Sequence, residues 1–278
     1  MGEEPAEEPE ITTIGAGEVV GAVVGGVHGD EPSGVTAIER TLESIGTNEL
    51  ELERAIRFVI ANPPAIAAGT RFVEKDMNRS FPGDPDGTLE ERLAAIVCEA
   101  VKAIPTLAMH ATRSSGTPFA FAPPGNQTAI DLVSALSVPN LVLADGAEIG
   151  SLSACGTVIT VESGTQGTAE AANTATSLVK EFLVALGALD GTPQRSEPTV
   201  FELGSEIDRP PGTDYEVLVE NFTRVMPGEA FASVDGKELR AEEAFYPILL
   251  SEDGYEDILG FRGFKLADSP REIAGDRY

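Results

Sequence analysis

The sequence predicts an α/β protein with a mostly parallel or mixed central sheet flanked by helices, followed by a small β-rich C-terminal domain. Over residues 13–191, short apolar runs alternate with longer segments whose apolar residues recur at helical spacing. This order is typical of strands joined by crossover helices. Over residues 192–278, short β-type runs are separated by Gly and Pro turns. We expect residues 1–12 to form an acidic, disordered tail.

Each element of the first part is predicted by a local pattern. Helices are expected to begin at Pro32, Thr88, Ala129 and Thr168, because Pro suits the first helical turn and Thr88-Leu-Glu-Glu91 is a capping-box pattern. Gly46 and Gly187 are expected to end the first and last of these helices. The predicted strands are 18–27, 55–61, 107–110, 140–143 and 156–161, and the later β-type runs are 200–202, 215–219, 230–234 and 246–250.

Four polar residues fall at the carboxyl ends of predicted strands. They are His28, Asn62, His110 and Glu162. In open α/β sheets, ligands bind beyond the carboxyl ends of the strands. The sequence therefore predicts a functional site at this edge of the sheet.

The chain has only two histidines, and both suit a metal site. His28 and Glu31 are three residues apart at a strand-to-helix turn, and His110 ends a neighbouring strand. A catalytic zinc takes three imidazole or carboxylate ligands and leaves a fourth position open. We therefore predict one Zn²⁺ per subunit, bound by His28, Glu31 and His110. The alternative is that His28 caps a turn and His110 is a core residue hydrogen-bonded to backbone.

Further polar residues suggest the chemistry of this site. Glu162 is a candidate general base, although an exposed loop glutamate is the alternative. Arginine binds carboxylates bidentately, so Arg71, Arg79 and Arg113 could admit an anionic substrate to an acidic protein. The alternative for each arginine is a surface salt bridge that contributes little to stability.

The composition limits the partners and the location. A net charge of −27 repels nucleic-acid phosphates and anionic lipid, so neither nucleic acid nor membrane is expected as a partner. Scarce lysine with abundant alanine favours a halophilic source over an ordinary acidic cytosolic protein. Cys98 and Cys155 are too few for a disulfide framework, which favours a reducing cytoplasm, with Cys98 as a small core residue.

Several motifs, in this order, resemble the succinylglutamate desuccinylase/aspartoacylase family. They are GGVHGDE at 25–31, Asn62-Pro63, Arg71, DMNRSFPG at 76–83, HATRSSG at 110–116 and VESG at 161–164. Towards the C-terminus, VENF at 219–222, FYPI at 245–248 and GYEDILGF at 254–261 are similar to the family's small β-rich domain. The resemblance implies a metallocarboxypeptidase-like fold and a zinc-dependent amidohydrolase that deacylates a small anionic N-acyl amino acid. The composition leads us to expect that its source is a halophilic archaeon.

The resemblance also implies a role for each matching residue. His28, Glu31 and His110 would bind zinc. Glu162 would act first as base and then as acid, and Arg71 would polarise the scissile carbonyl. The substrate's carboxylate would be held by Asn78 and Arg79, with Arg113 in the same pocket and with Asp76 and Asn62 in support. One residue departs from the family pattern: Ala108 occupies the position of an aspartate.

Two other functions remain open at this point. The protein could be a metallocarboxypeptidase that acts on peptides, or a metal- or metabolite-binding protein without catalysis. A homodimer is the commonest assembly for such a chain.

Overall fold

The computed structural model describes residues 6–146, 150–253 and 257–273. Its strands are β1 (Glu10–Ile14), β2 (Val19–Gly25), β3 (Ala55–Ile60), β4 (Thr106–Thr112), β5 (Phe119–Ala122), β6 (Asn140–Leu143), β7 (Val158–Thr165), β8 (Thr199–Asp208), β9 (Tyr215–Val217), β10 (Ala230–Val234), β11 (Lys237–Arg240), β12 (Tyr246–Ile248) and β13 (Ile258–Ala267). Its helices are α1 (Pro32–Gly46), α2 (Pro63–Ala68), α3 (Leu89–Val101), α4 (Gln127–Val133), α5 (Ala169–Ala185) and α6 (Pro270–Ile273).

A ten-stranded mixed sheet forms the centre of the molecule. Its strand order is β1-β3-β2-β4-β7-β5-β6-β8-β13-β12, and a separate antiparallel sheet has the order β11-β10-β9. The strands β3, β2, β4 and β7 are parallel neighbours, whereas β5 runs antiparallel to β7. The predicted fold class, a mixed sheet flanked by helices with a small β-rich part, is confirmed.

Two apolar cores cover the two faces of the sheet. Because side chains alternate along a strand, Leu107 belongs to the core under α1 and α5, while Ala108 belongs to the core under α3. His110 lies two residues after Ala108, so it lies on the α3 face at the carboxyl end of β4. The strand ladder therefore fixes the position of this histidine.

Local sequence signals set several boundaries as predicted. Helix α1 begins at Pro32 and ends at Gly46. The capping box before α3 is present, with the backbone N–H of Thr88 donating to Oε2 of Glu91 at 2.9 Å. Strand β5 was not predicted, because its four residues, FAFA, are too short to show a period. This short strand is what makes the inner part of the sheet mixed.

Residues 10–12, which the sequence assigned to a disordered tail, belong to a strand. They begin β1, which pairs antiparallel with β3 from Glu10 opposite Ile60 to Ile14 opposite Ile56. The β-branched run Ile-Thr-Thr-Ile favours this pairing over disorder. Residues 1–5 of the predicted tail lie outside the described residues.

Residues after 191 contribute to both sheets. Strand β8 pairs parallel with β6, and β13 and β12 continue the large sheet beyond it, whereas β9, β10 and β11 form the small one. An aromatic cluster joins the two parts of the chain, with Phe119 and Val142 packed among Phe201, Ile248 and Leu249. A domain boundary between 191 and 192 stays a prediction. Of the predicted C-terminal motif, residues 254–256, including Tyr255, lie outside the described residues.

The expectation of two unpaired cysteines is wrong. Cys98 on α3 forms a disulfide with Cys155, with 5.2 Å between their Cα atoms. A short 3-10 turn, Leu152–Cys155, packs against α3 and brings the two residues together across 57 positions of sequence. Disulfides are rare in a reducing cytosol, so the cysteines no longer support a cytoplasmic location. Across the described ranges, no helix combines the length and apolarity that crossing a bilayer requires.

Candidate active site

The turn between β2 and α1 brings His28 and Glu31 together. Glu31 is the N-cap residue of α1, and the Nδ1 atom of His28 lies 2.7 Å from its Oε1. Gly29 allows this turn, because a Cβ atom there would lie 2.1 Å from the carbonyl carbon of Ala65 in α2. The backbone N–H of Gly29 also donates to the carbonyl of Arg71. The turn is therefore fixed against both α2 and the segment that follows it.

His110 meets Glu31 from β4. Its Nδ1 atom lies 2.9 Å from Oε2 of Glu31, and the backbone N–H of Ala111 donates to the same oxygen at 3.2 Å. His28, Glu31 and His110 are 3%, 4% and 4% exposed, and one ligand atom from each lies within 4.8 Å of the others. The structure thus brings together the three residues that the sequence predicted as metal ligands.

The donor set fits a divalent cation such as Zn²⁺. Two imidazole nitrogens and one carboxylate oxygen lie within 4.8 Å of one another, and these are donors that zinc accepts. Both rings contact a carboxylate through Nδ1, so the alternative of a turn cap and a backbone-bonded core histidine does not describe them. Burial alone would lower the pKa of His28, but Glu31 and a hydrogen bond with Asp76 raise it to about 9. A bound cation would displace such protons.

Glu162 lies beside His110 on the neighbouring strand. The two residues are directly paired in the parallel register of β4 and β7. The sequence placed Glu162 after a strand, but β7 runs through it to Thr165. Its Oε2 atom is buried and has no hydrogen-bond partner among the described residues. Burial, and then repulsion by Glu31, raise the pKa of Glu162 to about 8. A carboxyl group with this pKa can bind and release a proton near neutral pH.

Arg71 and Asp76 complete the inner part of the site. Nη1 of Arg71 donates to Oε1 of Glu31 at 3.2 Å, and its Nε donates to Oδ2 of Asp76 at 3.1 Å. The other Asp76 oxygen, Oδ1, lies 3.1 Å from Nε2 of His28. Asp76 therefore contacts the Nε2 atom of His28, the ring nitrogen that does not face Glu31. Carboxylates often orient metal-binding histidines in this way. Burial opposes ionisation of Asp76, but the hydrogen bond with His28 and the nearby charges outweigh it and keep its pKa well below the usual range.

The predicted substrate-binding residues line the same pocket, a cavity of about 330 Å³. Arg79 and Arg113 are exposed at its walls, and Asn78 accepts a hydrogen bond from the backbone N–H of Leu152 through Oδ1 at 3.3 Å. Nε of Arg113 donates to Gln166 at 3.3 Å. These three residues are therefore placed to meet a ligand, while their role in binding stays a prediction.

Asn62 and Ala108 lie just outside the pocket lining. Asn62 is fully buried and caps α2, its Oδ1 accepting from the backbone N–H of Ala65 at 3.2 Å. It thereby caps the helix that packs on Gly29, and its supporting role at the site stays a prediction. Ala108 is also fully buried, among the apolar side chains of Val24 and Val59. An apolar core thus occupies the place where the family resemblance led us to expect a carboxylate.

Glu90 is a residue of interest that the sequence did not single out. It is fully buried on α3, and its carboxylate accepts hydrogen bonds from the backbone N–H groups of Val73, Glu74 and Lys75 at 2.6 to 3.3 Å. These residues lie between Arg71 and Asp76. The capping-box pattern around Glu90 indicated only the adjacent Glu91, and a contact across 15 to 17 residues leaves no periodic signal.

Comparison with known proteins gives the family. Residues 20–185, more than half of the chain, match the succinylglutamate desuccinylase/aspartoacylase catalytic domain. An N-alpha-acetyl-L-2,4-diaminobutyric acid deacetylase from Halomonas elongata is 39% identical over 88 residues, which cover 30% of this chain and 25% of the relative. A succinylglutamate desuccinylase from Pseudomonas paraeruginosa is 40% identical over 76 residues, covering 27% of this chain and 23% of the relative. The match thus spans about a quarter of the length of these curated relatives.

Solved structures share the fold over nearly the whole chain. A succinylglutamate desuccinylase/aspartoacylase from Rhodobacter sphaeroides has a TM-score of 0.78 at 19% identity, with 92% of this chain and 89% of that one covered. The ectoine utilization protein EutE (DoeB) from Ruegeria pomeroyi has a TM-score of 0.69 at 24% identity, with 92% and 88% covered. Together with the match to the catalytic domain, this places the chain in the succinylglutamate desuccinylase/aspartoacylase family.

Proposed function

We propose that this protein is a zinc-dependent amidohydrolase that deacylates an N-acyl amino acid. The main observation in support is the convergence of His28, Glu31 and His110 beside Glu162 in one pocket. The relatives named above include a deacetylase and a desuccinylase of amino acids. A cavity of about 330 Å³ is near the lower end for small-molecule sites, which favours a single acylated amino acid over an extended peptide.

One Zn²⁺ per subunit, held by His28, Glu31 and His110, would supply a Lewis acid for the scissile carbonyl. Glu162 would take a proton from the attacking water and pass it to the leaving amine nitrogen. The new bond joins the water oxygen to the acyl carbon, and the bond that breaks is the amide C–N bond. The products are a free carboxylate and a free amino acid.

The remaining polar residues would orient the substrate. Arg71, whose side chain is 37% exposed beside Glu31, would donate to the carbonyl oxygen as negative charge develops there. Asn78 and Arg79, with Arg113 at the wall, would hold the carboxylate of the amino acid. Asp76 would keep the His28 ring in place through Nε2.

Replacing Glu162 tests this proposal. We expect Glu162→Gln to lower kcat by about 10²- to 10⁴-fold on an N-acyl amino acid, because the general base is lost, with zinc content unchanged. The exposed Glu170→Gln on α5 is the matched control. Unchanged turnover in Glu162→Gln would exclude this mechanism. Cleavage of C-terminal residues from peptides would instead support a carboxypeptidase, and ligand binding without turnover in the zinc-loaded protein would support a binding function.

The acidic surface supports a second part of the proposal, that the protein is adapted to concentrated salt as in a halophilic archaeon. At about 0.01 M salt the Debye length grows to about 30 Å, so the 27 excess negative charges repel one another across the molecule. We expect circular dichroism to show loss of structure on dialysis from molar to millimolar salt. Full structure at low salt would contradict the adaptation. The cytoplasmic location and the homodimer stay predictions.

A further inference from the structure

The pocket lining contains two groups of residues that differ in chemistry. Towards the 71–79 segment the lining is polar, with Arg71, Asn78 and Arg79. A second group of lining residues is apolar and comes from β5, β8, β13 and the loops beside them: Phe121, Ala122, Pro123, Ala144, Leu203, Leu249 and Phe261. We call this second set the apolar wall.

Sheet register explains why the apolar wall faces the same cavity as Glu162. Thr160 and Glu162 are two residues apart on β7, so both point to one face, and Phe121 on β5 is paired with Thr160. The same face continues through Val142 on β6, which is paired with Phe121, to Phe201 on β8. Leu203 is two residues further along β8. Neighbouring strands are about 4.8 Å apart, so the wall extends from roughly 5 Å from β7, at Phe121, to roughly 19 Å, at Phe261 on β13.

Packing contacts hold the side chains of the apolar wall in place. The Phe121 ring packs edge-on against Phe119 with 5.4 Å between centroids, and Phe119 packs against Phe222 at 4.9 Å. Leu249 is 8% exposed and adopts a left-handed backbone conformation with φ of 54°. For a leucine this conformation costs about 1–2 kcal/mol, and the packing around it in the aromatic cluster maintains it.

The charges on this side of the pocket also disfavour one class of ligand. In the part of the chain described after residue 192, the lining residues are Leu203, Leu249, Asp253 and Phe261. None of the four is cationic, and Asp253 is acidic. Arg113 also lines the pocket and lies with Asp253 at a neighbouring one, and its Nε already donates to Gln166. A carboxylate packed against the apolar wall would lose hydration and could gain a partner only by competing for this arginine, which is costly.

We propose that the apolar wall binds an apolar group of the substrate, so that the preferred substrate has one carboxylate and an aliphatic or aromatic group. This inference rests on the proposed function and names its substrate class. The apolar group could be the acyl chain or the side chain of the amino acid. In both cases a substrate with a second carboxylate at that end, such as an N-succinyl amino acid or an N-acyl glutamate, is disfavoured.

Two substrate series distinguish these sources in the zinc-loaded full chain. The first keeps leucine and varies the acyl group through acetyl, butyryl, hexanoyl and succinyl. The second keeps acetyl and varies the amino acid through alanine, leucine, phenylalanine, glutamate and lysine. We expect kcat/KM to rise at least ~10-fold with apolar size in one series and to fall for the charged members. Highest kcat/KM for the succinyl or glutamate members would overturn the inference.

A variant and a binding measurement complete the test. Leu203→Arg should reverse the substrate preference: the ratio of kcat/KM for carboxylate-bearing substrates to kcat/KM for apolar substrates should rise at least ~10-fold. Leu218→Arg, at an exposed leucine away from the pocket, should leave this ratio unchanged. An unchanged order in a folded Leu203→Arg variant would contradict the inference. Calorimetric titration of the Glu162→Gln variant with the same compounds measures their binding affinities in the absence of turnover. Tight binding of apolar compounds in a wild-type protein that hydrolyses none would support the wall and reject the proposed function.

Discussion

The candidate site is assembled from two regions that are held in different ways. His110 and Glu162 lie on adjacent central strands, where a continuous backbone ladder fixes both. The 71–79 segment, in contrast, contains only a 3-10 turn and is anchored by side chains, chiefly the carboxylates of Glu90 and Asp76. We infer that replacements on the sheet side will change the metal and the chemical step, whereas loss of an anchor of the 71–79 segment will mainly change substrate binding.

The largest effect is expected from the carboxylate that joins the two histidines. Glu31→Gln removes the charge that contacts both Nδ1 atoms, so zinc affinity should fall by more than the ~10–100-fold typical of supporting residues. Competition with a chelator, followed by metal analysis, measures this. Glu39→Gln, at an exposed position on α1, is the control. Wild-type zinc affinity in Glu31→Gln would mean that the ligands are other residues.

The disulfide should contribute most to the stability of the 71–79 side. It joins α3, which carries Glu90, to the Leu152–Cys155 turn, where the backbone N–H of Leu152 donates to Asn78. Closing 57 residues restricts the unfolded chain by up to about 4 kcal/mol.

We therefore expect the double variant Cys98→Ser/Cys155→Ser to lose about 2–4 kcal/mol of unfolding free energy. Denaturant unfolding at a fixed high salt concentration would measure the loss. Under conditions in which the double variant is fully folded, its zinc affinity should match that of the wild type, because none of the three candidate ligands lies on the 71–79 side. A double variant as stable as the oxidised wild type would show that the bridge does not constrain the chain.

Glu90 offers the sharpest test of the comparison. Glu90→Gln keeps one acceptor but points an amide N–H₂ group at backbone donors, so the 71–79 segment should lose part of its anchorage. We expect KM to rise about 10-fold, corresponding to about 1.4 kcal/mol, with a smaller change in kcat. Glu99→Gln, at an exposed position on the same helix, is the control. A loss of zinc with unchanged KM would contradict this division of labour.

The part of the site on the central strands could be predicted from the sequence, whereas the anchoring of the 71–79 segment could not. His28 and His110 follow short apolar runs that indicate buried strands, and parallel strands bring their carboxyl ends together, so topology alone predicts their meeting. The contact between Glu90 and residues 73–75, by contrast, depends on how α3 packs against an irregular segment. No local periodicity encodes that arrangement.

The pairing of Cys98 with Cys155 and the apolar wall were missed for a related reason. Cys155 follows an irregular stretch, so its approach to α3 cannot be derived from strand or helix patterns. Phe121 and Leu203 lie on β5 and β8, and β5 shows no period over four residues. Their common face emerges only once the order of β7, β5, β6 and β8 in the sheet is known.

The last prediction concerns the pH dependence of stability on the sheet side. In the chelated protein, burial and Glu31 raise the pKa of Glu162 from 4.5 to about 8. Between these values the folded state keeps a proton that the unfolded state has lost, so the free energy of unfolding should fall as pH rises, by at most about 1.4 kcal/mol per pH unit.

Glu162→Gln cannot titrate, so it should lose less stability than the wild type between pH 5 and pH 8, and Glu170→Gln should follow the wild type. Thermal unfolding in buffered chelator at constant salt measures the three curves. Parallel curves for wild type and Glu162→Gln would mean that Glu162 already ionises in the folded protein at its ordinary pKa, and the buried carboxyl group would then lack the raised proton affinity that suits it to both halves of the proton transfer.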